Sequence, residues 1–250
     1  GGSEIADAST TSGASMSDPG TPTRAGYDFD GWFDASTGGS AISFDYAHGQ
    51  IANFTLYAQW VETAEFIVGQ TGPGGGTIFY VDMRRAAGSQ YFEAACAGWS
   101  DGTCGGSDLT DPKAQWGCNE TSITGADGTA VGTGEQNTTD IVTGCVTSDI
   151  TAAERTDALV LGGQTDWFLP SKDELNSLCK WAFNDTANAI CNNDGLGGLS
   201  LAGVGGFSAD YYWSSSENAD DSAWFQAFSD GYQSFDDESN ASYVRPVRAF

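Results

Sequence analysis

Residues 166–175 read Asp-Trp-Phe-Leu-Pro-Ser-Lys-Asp-Glu-Leu. Ser171 and Glu174 stand in the S-x-x-E order of a capping box, and Pro170 interrupts the chain just before them. Leu175, Leu178, Cys179 and Phe183 follow at helical spacing, which predicts a helix from Ser171 to about Phe183. A second capping box, Thr151 with Glu154, opens a shorter helix. Around these helices the chain reads as strand. Residues 66–81 read as strand, glycine turn, strand. Residues 211–216, 223–228, 232–235 and 243–250 are further strands, and Asp230 with Gly231 is a turn-forming pair. Two helices in a strand-rich region from residue 63 to the end place the chain in the α+β class.

The six cysteines all fall between Cys96 and Cys191. An even number confined to one region reads as three disulfides made in an oxidising compartment. A metal site is the competing reading, but no C-x-x-C pair is present and the one histidine, His48, lies far off in sequence. Sequence neighbours suggest Cys96 with Cys104, Cys118 with Cys145 and Cys179 with Cys191, among the about 15 pairings open to six cysteines.

Nine Lys and Arg against 34 Asp and Glu leave a net charge of −25. Nucleic acid and anionic membranes are polyanions that such a surface repels, so neither is an expected partner. No apolar run approaches the ~20 residues that span a bilayer, so no membrane insertion is expected of this segment. Eight Trp, 9 Tyr and 14 Phe in a chain that is 40% hydrophobic are too many for disorder.

Catalytic machinery is sparse. Beyond residue 62 there is no histidine, so Ser/His/Asp and Cys/His catalysis are unavailable there. Paired cysteines would leave no thiolate. Ser214, Ser215, Ser216 and Glu217 form a compact block whose hydroxyls and carboxylate suit backbone groups at a strand end. Arg245 and Arg248 read as structural ion pairs, with Glu217 as a candidate partner for Arg248. Asp236, Asp237 and Glu238 read as a solvated acidic edge. Calcium ligation by their hard oxygens is the competing reading, and no D-x-D-x-D-G loop supports it, so no cofactor is expected.

Two resemblances are specific. Residues 22–33, Pro-Thr-Arg-Ala-Gly-Tyr-Asp-Phe-Asp-Gly-Trp-Phe, lead to a Gly38-Gly39 turn and then to Thr55-Leu-Tyr-Ala-Gln-Trp60. The pattern resembles the Listeria–Bacteroides repeat, also called the internalin B-repeat. This implies a small β-grasp-like spacer of bacterial surface proteins over residues 1–62. Gly1, Gly2 and Ser3 resemble the turn after that family's first strand, so the first strand would be missing; a cloning scar is the alternative.

Residues 63–250 carry GPGGGTIFYVD, KAQWGC, GTGEQNT, DWFLPSKDEL, YWSSSE and VRPVRAF in that order. These blocks resemble the C-terminal domain of the Legionella collagen-like protein and the Fibrobacter major paralogous domain. The resemblance implies a C-type-lectin-like fold on a secreted or cell-surface protein, and for some members variation by a diversity-generating retroelement.

Strand parity adds to this. Trp224, Gln226 and Phe228 alternate with Phe225, Ala227 and Ser229. If Trp224 and Phe228 enter the core, Phe225 points outward and needs a cover or a partner. Adenine-directed mutagenesis of AAC or AAT codons reaches only residues with a pyrimidine-ending codon. Ala219, Asp220, Asp221, Ser222, Phe225, Ala227, Ser229, Asp230, Tyr232, Ser234, Phe235, Asp236, Asp237, Ser239, Asn240, Ala241 and Ser242 all qualify. Glu217, Trp224, Gln226 and Gln233 do not. Aromatic anchors among small polar residues have the composition of an antibody paratope. The expected function is therefore ligand binding through this variable face, with a protein ligand favoured over a glycan. The alternatives are a carboxylate-dependent glycan hydrolase and a fixed-specificity structural adhesin domain.

Overall fold

The computed structural model describes residues 2–147, 149–191 and 205–250. Gly1, assigned above to a turn, lies outside them. The chain forms two compact units, Gly1–Glu65 and Phe66–Phe250.

The first unit is built on one long antiparallel ladder. Strand β2 (Tyr27–Phe33) pairs with β4 (Tyr57–Glu62), and the register slips between Phe29 and Gly31. Gly31 takes φ 134° there, a value other residues rarely adopt. The short strands β1 (Ser15–Met16) and β3 (Tyr46–Ala47) make a second ladder. Phe29 meets Trp32 and Trp60 edge-on, with ring centres 5.6 Å apart in both pairs. All three rings remain half-buried. Ser3 is tied into the unit: its N–H donates to the Thr23 carbonyl at 2.7 Å, and its hydroxyl accepts from the Thr23 N–H at 2.9 Å.

The second unit carries the large core. A three-stranded sheet, in the order β12-β6-β5, joins β5 (Thr77–Val81) and β6 (Tyr91–Ala94) to the C-terminal β12 (Val247–Ala249). A five-stranded sheet has the order β10-β9-β8-β11-β7. Its members are β7 (Lys113–Gln115), β8 (Tyr211–Ala219), β9 (Ser222–Ala227), β10 (Gln233–Asp237) and β11 (Ala241–Tyr243). Two apolar clusters fill the interior. Trp116, Trp213, Ile141 and Leu169 lie in one; Phe92, Leu178, Tyr212 and Phe228 lie in the other.

Both predicted helices form. Helix α2 (Ala152–Asp157) and helix α3 (Lys172–Phe183) each open on a reciprocal capping box, at Thr151/Glu154 and Ser171/Glu174. Among the described residues a third helix, α1 (Gly134–Gly144), joins the two expected from their capping boxes. Its first and last residues are Gly, and Thr133 makes no side-chain cap, so the usual start and stop signals are absent. Tertiary contacts hold it instead. Ile141 is fully buried, and Asn137 donates to the Gly128 carbonyl and the Ser215 hydroxyl.

Two strand readings are corrected. Residues 66–76 do not form a regular first arm; only a Thr71–Thr77 bridge and bonds such as Ile78 N–H to the Gln70 carbonyl line it up with β5. The expected last strand is split by Pro246 into β11 and β12, which belong to different sheets. All six cysteines are paired, as Cys96–Cys104, Cys118–Cys145 and Cys179–Cys191. Among the described residues no helix is long and apolar enough to cross a membrane.

Candidate ligand-binding face

Two buried arginines fix the frame. Arg245 donates to Asp111 Oδ2 at 2.8 Å and to the carbonyls of Ala95, Gly205 and Gly206. Asp111 also accepts from Tyr212 Oη and the Gly98 N–H, yet burial still pushes its carboxyl up. Arg248 donates to both oxygens of Asp166 at 2.8 Å and lies 3.4 Å from Glu93. The proposed Arg248–Glu217 pair is not made. Glu217 instead accepts from the Ile123 N–H at 2.8 Å and the Ser122 hydroxyl at 3.1 Å.

The serine block is structural. Between Trp213 and Glu217 strand β8 bulges against β9. The bulge brings Ser214 Oγ to the Trp224 carbonyl and Ser216 Oγ to the Gly128 carbonyl; the Lys172 N–H donates to Ser216 Oγ. These hydroxyls are engaged and buried, with no base beside them.

Of the seventeen expected face residues, eleven are exposed: Ala219, Asp220, Asp221, Ser229, Asp230, Tyr232, Phe235, Asp237, Ser239, Asn240 and Ala241. Ser234 and Asp236 are half-buried. Ser222, Phe225, Ala227 and Ser242 are buried, which overturns their place on an open surface. The parity argument failed at its premise: Ala223, Phe225 and Ala227 enter the core beside Trp213 and Trp116, while Trp224, expected in the core, stays half-buried. Phe225 does face away from Trp224, but Tyr211 stacks over it at 4.3 Å. Trp224 is only half-buried, held between Lys172 Nζ at 3.7 Å and the edge of Phe235.

The structure also divides the remaining residues. Cross-strand partners share a side of a sheet. Register therefore puts Tyr211, Phe225, Ala227 and Ser234 on one side, and Trp224, Gln226, Gln233 and Phe235 on the other. Tyr232 lies opposite Ala227, whose N–H donates to its carbonyl. So Tyr232 and Tyr211 lie at the same end of the sheet, on either side of Ala227 and beside the Asp230-Gly231 turn, and Phe235 does not join them. The acidic residues Asp220, Asp221, Asp237 and Glu238 sit at the opposite end, where the Glu238 N–H donates to the Asp221 carbonyl.

The aromatic end is braced from behind. Gln226, fully buried, donates to the Gly231 carbonyl at 2.6 Å. Gln233 donates to Gln226 Oε1 and to the Lys172 carbonyl. Tyr211, 42% exposed, and Tyr232, 61% exposed, are thus presented on a fixed turn. Tyr211, read from the sequence only as a strand residue, lies opposite Ala227 and stacks on Phe225, which places it beside the expected face residues.

At the acidic end, Glu238 is fully buried, and neither carboxylate oxygen has a hydrogen-bond partner. This corrects the reading of a solvated edge at that residue. Burial pushes its carboxyl up to about 8, with Glu217, Asp221, Asp237 and Asp220 adding to the shift. Burial raises Glu217 as well, against the bonds from Ile123 and Ser122. A raised carboxyl next to a second one has the chemistry of an acid–base pair, but at 0% exposure no substrate can reach Glu238. A separate hollow of about 390 Å³ is lined by Trp99, Asp101, Ile150, Glu154, Arg155 and Val160 among others, none of them in the expected face.

Comparison with known proteins agrees with this architecture. Residues 1–59 match the Listeria-Bacteroides repeat domain. The N-terminal part is 45% identical over 49 residues to Internalin H of Listeria monocytogenes serovar 1/2a (strain ATCC BAA-679 / EGD-e). That stretch is 19% of this chain and 9% of Internalin H, so the chain spans only a small part of that curated relative. Residues 93–248 match the Lcl C-terminal domain, and the first and last of them, Glu93 and Arg248, are partners in the buried ion pair. Together with three disulfides, the matches point to a surface-associated, adhesion-type protein, secreted or at the cell surface. With more than half of its length inside the second match, the chain belongs to the Lcl C-terminal domain family.

Proposed function

We propose that the second unit is a ligand-binding module on a C-type-lectin-like scaffold, and that Tyr211 and Tyr232 anchor its binding face. The N-terminal repeat, residues 1–62, serves as a spacer for the binding domain of residues 63–250. The observation that carries this reading is the pair of exposed rings on a turn held rigid by buried, hydrogen-bonded side chains. Rigid aromatics supply contact area at little entropic cost, and a braced turn lowers the cost of ordering on binding.

The face is also the part of the chain open to retroelement diversification. Most residues within reach of adenine mutagenesis are exposed, whereas the unreachable Glu217 and Gln226 are buried braces. Variation would then alter the contact surface and leave the frame intact. A protein ligand fits better than a glycan, and the charge of −25 favours a basic patch on it, with an on-rate that falls as salt rises. Binding is favoured over catalysis because the hydroxyls of the serine block are engaged in structure, all cysteines are paired, and Glu238 is sealed off.

The test is a binding screen of the full chain against an array of proteins, followed by Tyr232→Ala and Tyr211→Ala variants. Each variant should weaken the strongest interaction at least about tenfold, within the range of interface hot spots, with an unchanged melting temperature. Equal affinity in both variants would remove this face from the function.

A further inference from the structure

The hollow of about 390 Å³ beside helix α2 is built from two braced walls. One is a 3₁₀ turn, Trp99–Asp101, closed by the Gly102 N–H donating to the Trp99 carbonyl at 2.9 Å. Buried Trp99 anchors it, with Nε1 donating to the Val244 carbonyl at 2.9 Å, and the Cys96–Cys104 disulfide ties the chain on either side. The other wall is α2 with its flanks, Ile150 before the Thr151/Glu154 capping box and Val160 after the last turn. The walls meet where Gly102 approaches the Val160 carbonyl; a Cβ at Gly102 would lie 3.1 Å from it. Walls fixed in advance cost little to order on binding, and the volume is in the range of small-molecule sites.

The lining combines apolar surface with both signs of charge. Ile150 and Val160 are 59% and 58% exposed, so an apolar group seated there would cover aliphatic surface now open to water. Arg155 makes no salt bridge and no side-chain hydrogen bond among the described residues, in a chain with 34 acids. Its Nε is enclosed, whereas its terminal nitrogens are not, and these are the ones a ligand can reach. Such nitrogens suit a carboxylate. The two acids of the lining differ. Glu154 is committed to its capping box, where Oε2 accepts from the Thr151 N–H at 2.7 Å. Asp101 is exposed and uses only Oδ1, which accepts from the Thr103 hydroxyl at 2.7 Å and N–H at 2.9 Å. These bonds hold its carboxyl below the ordinary value, so it is charged at neutral pH.

We propose that this hollow binds a small aliphatic zwitterion, an amino acid of the leucine type, with its carboxylate on Arg155, its ammonium on Asp101 and its side chain against Ile150 and Val160. A plain aliphatic acid would be repelled by Asp101, and a plain amine by Arg155; a ligand carrying both charges answers both. The site shares no residue with the Tyr211–Tyr232 face, so it neither needs nor replaces binding there.

The test is calorimetric titration of the full chain with leucine. One site is expected, with a Kd on the order of 1 mM for so small a ligand. Isocaproate, which lacks the ammonium, and isopentylamine, which lacks the carboxylate, should each bind at least about tenfold more weakly. Glycine, which lacks the apolar side chain, should do the same. Arg155→Gln should weaken leucine binding about tenfold or more, and Asp101→Asn, which keeps Oδ1 for Thr103, about fivefold or more. Tyr232→Ala should leave it unchanged. No heat from leucine up to about 50 mM, wild-type affinity in Arg155→Gln or Asp101→Asn, or isocaproate binding as tightly as leucine would overturn the proposal.

Discussion

The two ends of the five-stranded sheet are made from the same three strands, β8, β9 and β10, yet they treat polar groups in opposite ways. At the aromatic end the amides of buried Gln226 and half-buried Gln233 are matched by backbone carbonyls, and two tyrosine rings are exposed. At the acidic end the buried group is a carboxylate with no donor at all, and the exposed surface is more carboxylate. Hydrogen bonds among these amides and carbonyls brace the first end from within the protein. The second end leaves its buried carboxyl without a hydrogen-bond donor, and burial with the surrounding negative charge pushes that carboxyl up to about 8. One sheet thus keeps its exposed tyrosines and its crowded carboxylates at opposite ends.

The frame common to both ends should be the most sensitive part. Arg245→Met leaves Asp111 buried with only Tyr212 and Gly98 as donors. The expected loss is about 3–5 kcal/mol in urea unfolding, the usual result of stranding one partner of a buried pair. A loss below about 1 kcal/mol would mean that Asp111 is not held as charged in the frame.

Next comes the contrast between two phenylalanines on adjacent strands. Phe225→Ala empties a buried site under Tyr211 and should cost about 3–5 kcal/mol. Phe235→Ala removes a ring that is 52% exposed and rests only edge-on against Trp224, and should cost about 1 kcal/mol or less. Equal losses would erase the distinction between covered and open positions of the face.

Smaller again is the capping of α2. Thr151→Ala removes the hydroxyl that accepts from the Glu154 N–H at 3.1 Å, for about 1 kcal/mol by thermal melting. An unchanged melting temperature would mean that α2 is held by packing alone.

The smallest effect concerns pH. The hydrogen bond from Arg248 and its charge hold the Asp166 carboxyl below its ordinary value. The ion pair therefore contributes above the unfolded carboxylate pKa, and that contribution is lost as pH falls through the lower folded one. The stability gap between wild type and Asp166→Asn should shrink between about pH 5 and about pH 2; a gap that stays constant would contradict the pairing.

Local signals carried the start of α2 and both ends of α3, because a capping box is a complete hydrogen-bond instruction written within four positions. Sequence neighbours also picked out the disulfide partners. Helix α1 was hidden because its stability comes from Ile141 and Asn137 meeting distant residues, not from propensity. The face was half legible. The exposure of Tyr232 and the polar turn residues could be expected from composition, but Phe225 could not be placed until the fold showed which face of β9 enters the core. The bulge at Ser214–Ser216 shifts the pairing of β8, which no alternation rule anticipates. Glu238 looked like its neighbours Asp236 and Asp237, and only the fold separates it from them.

The most direct test of a diversified binding face is the DNA around the gene. The account predicts a near-copy of the codons for residues 211–250 close by, beside a reverse transcriptase. That copy should carry adenines at codons for exposed residues such as Tyr211, Tyr232 and Asp230, and none at the buried Phe225, Ala227, Ser222 and Ser242. The absence of such a copy, or adenines concentrated at the buried codons, would contradict it and leave a surface domain of fixed specificity.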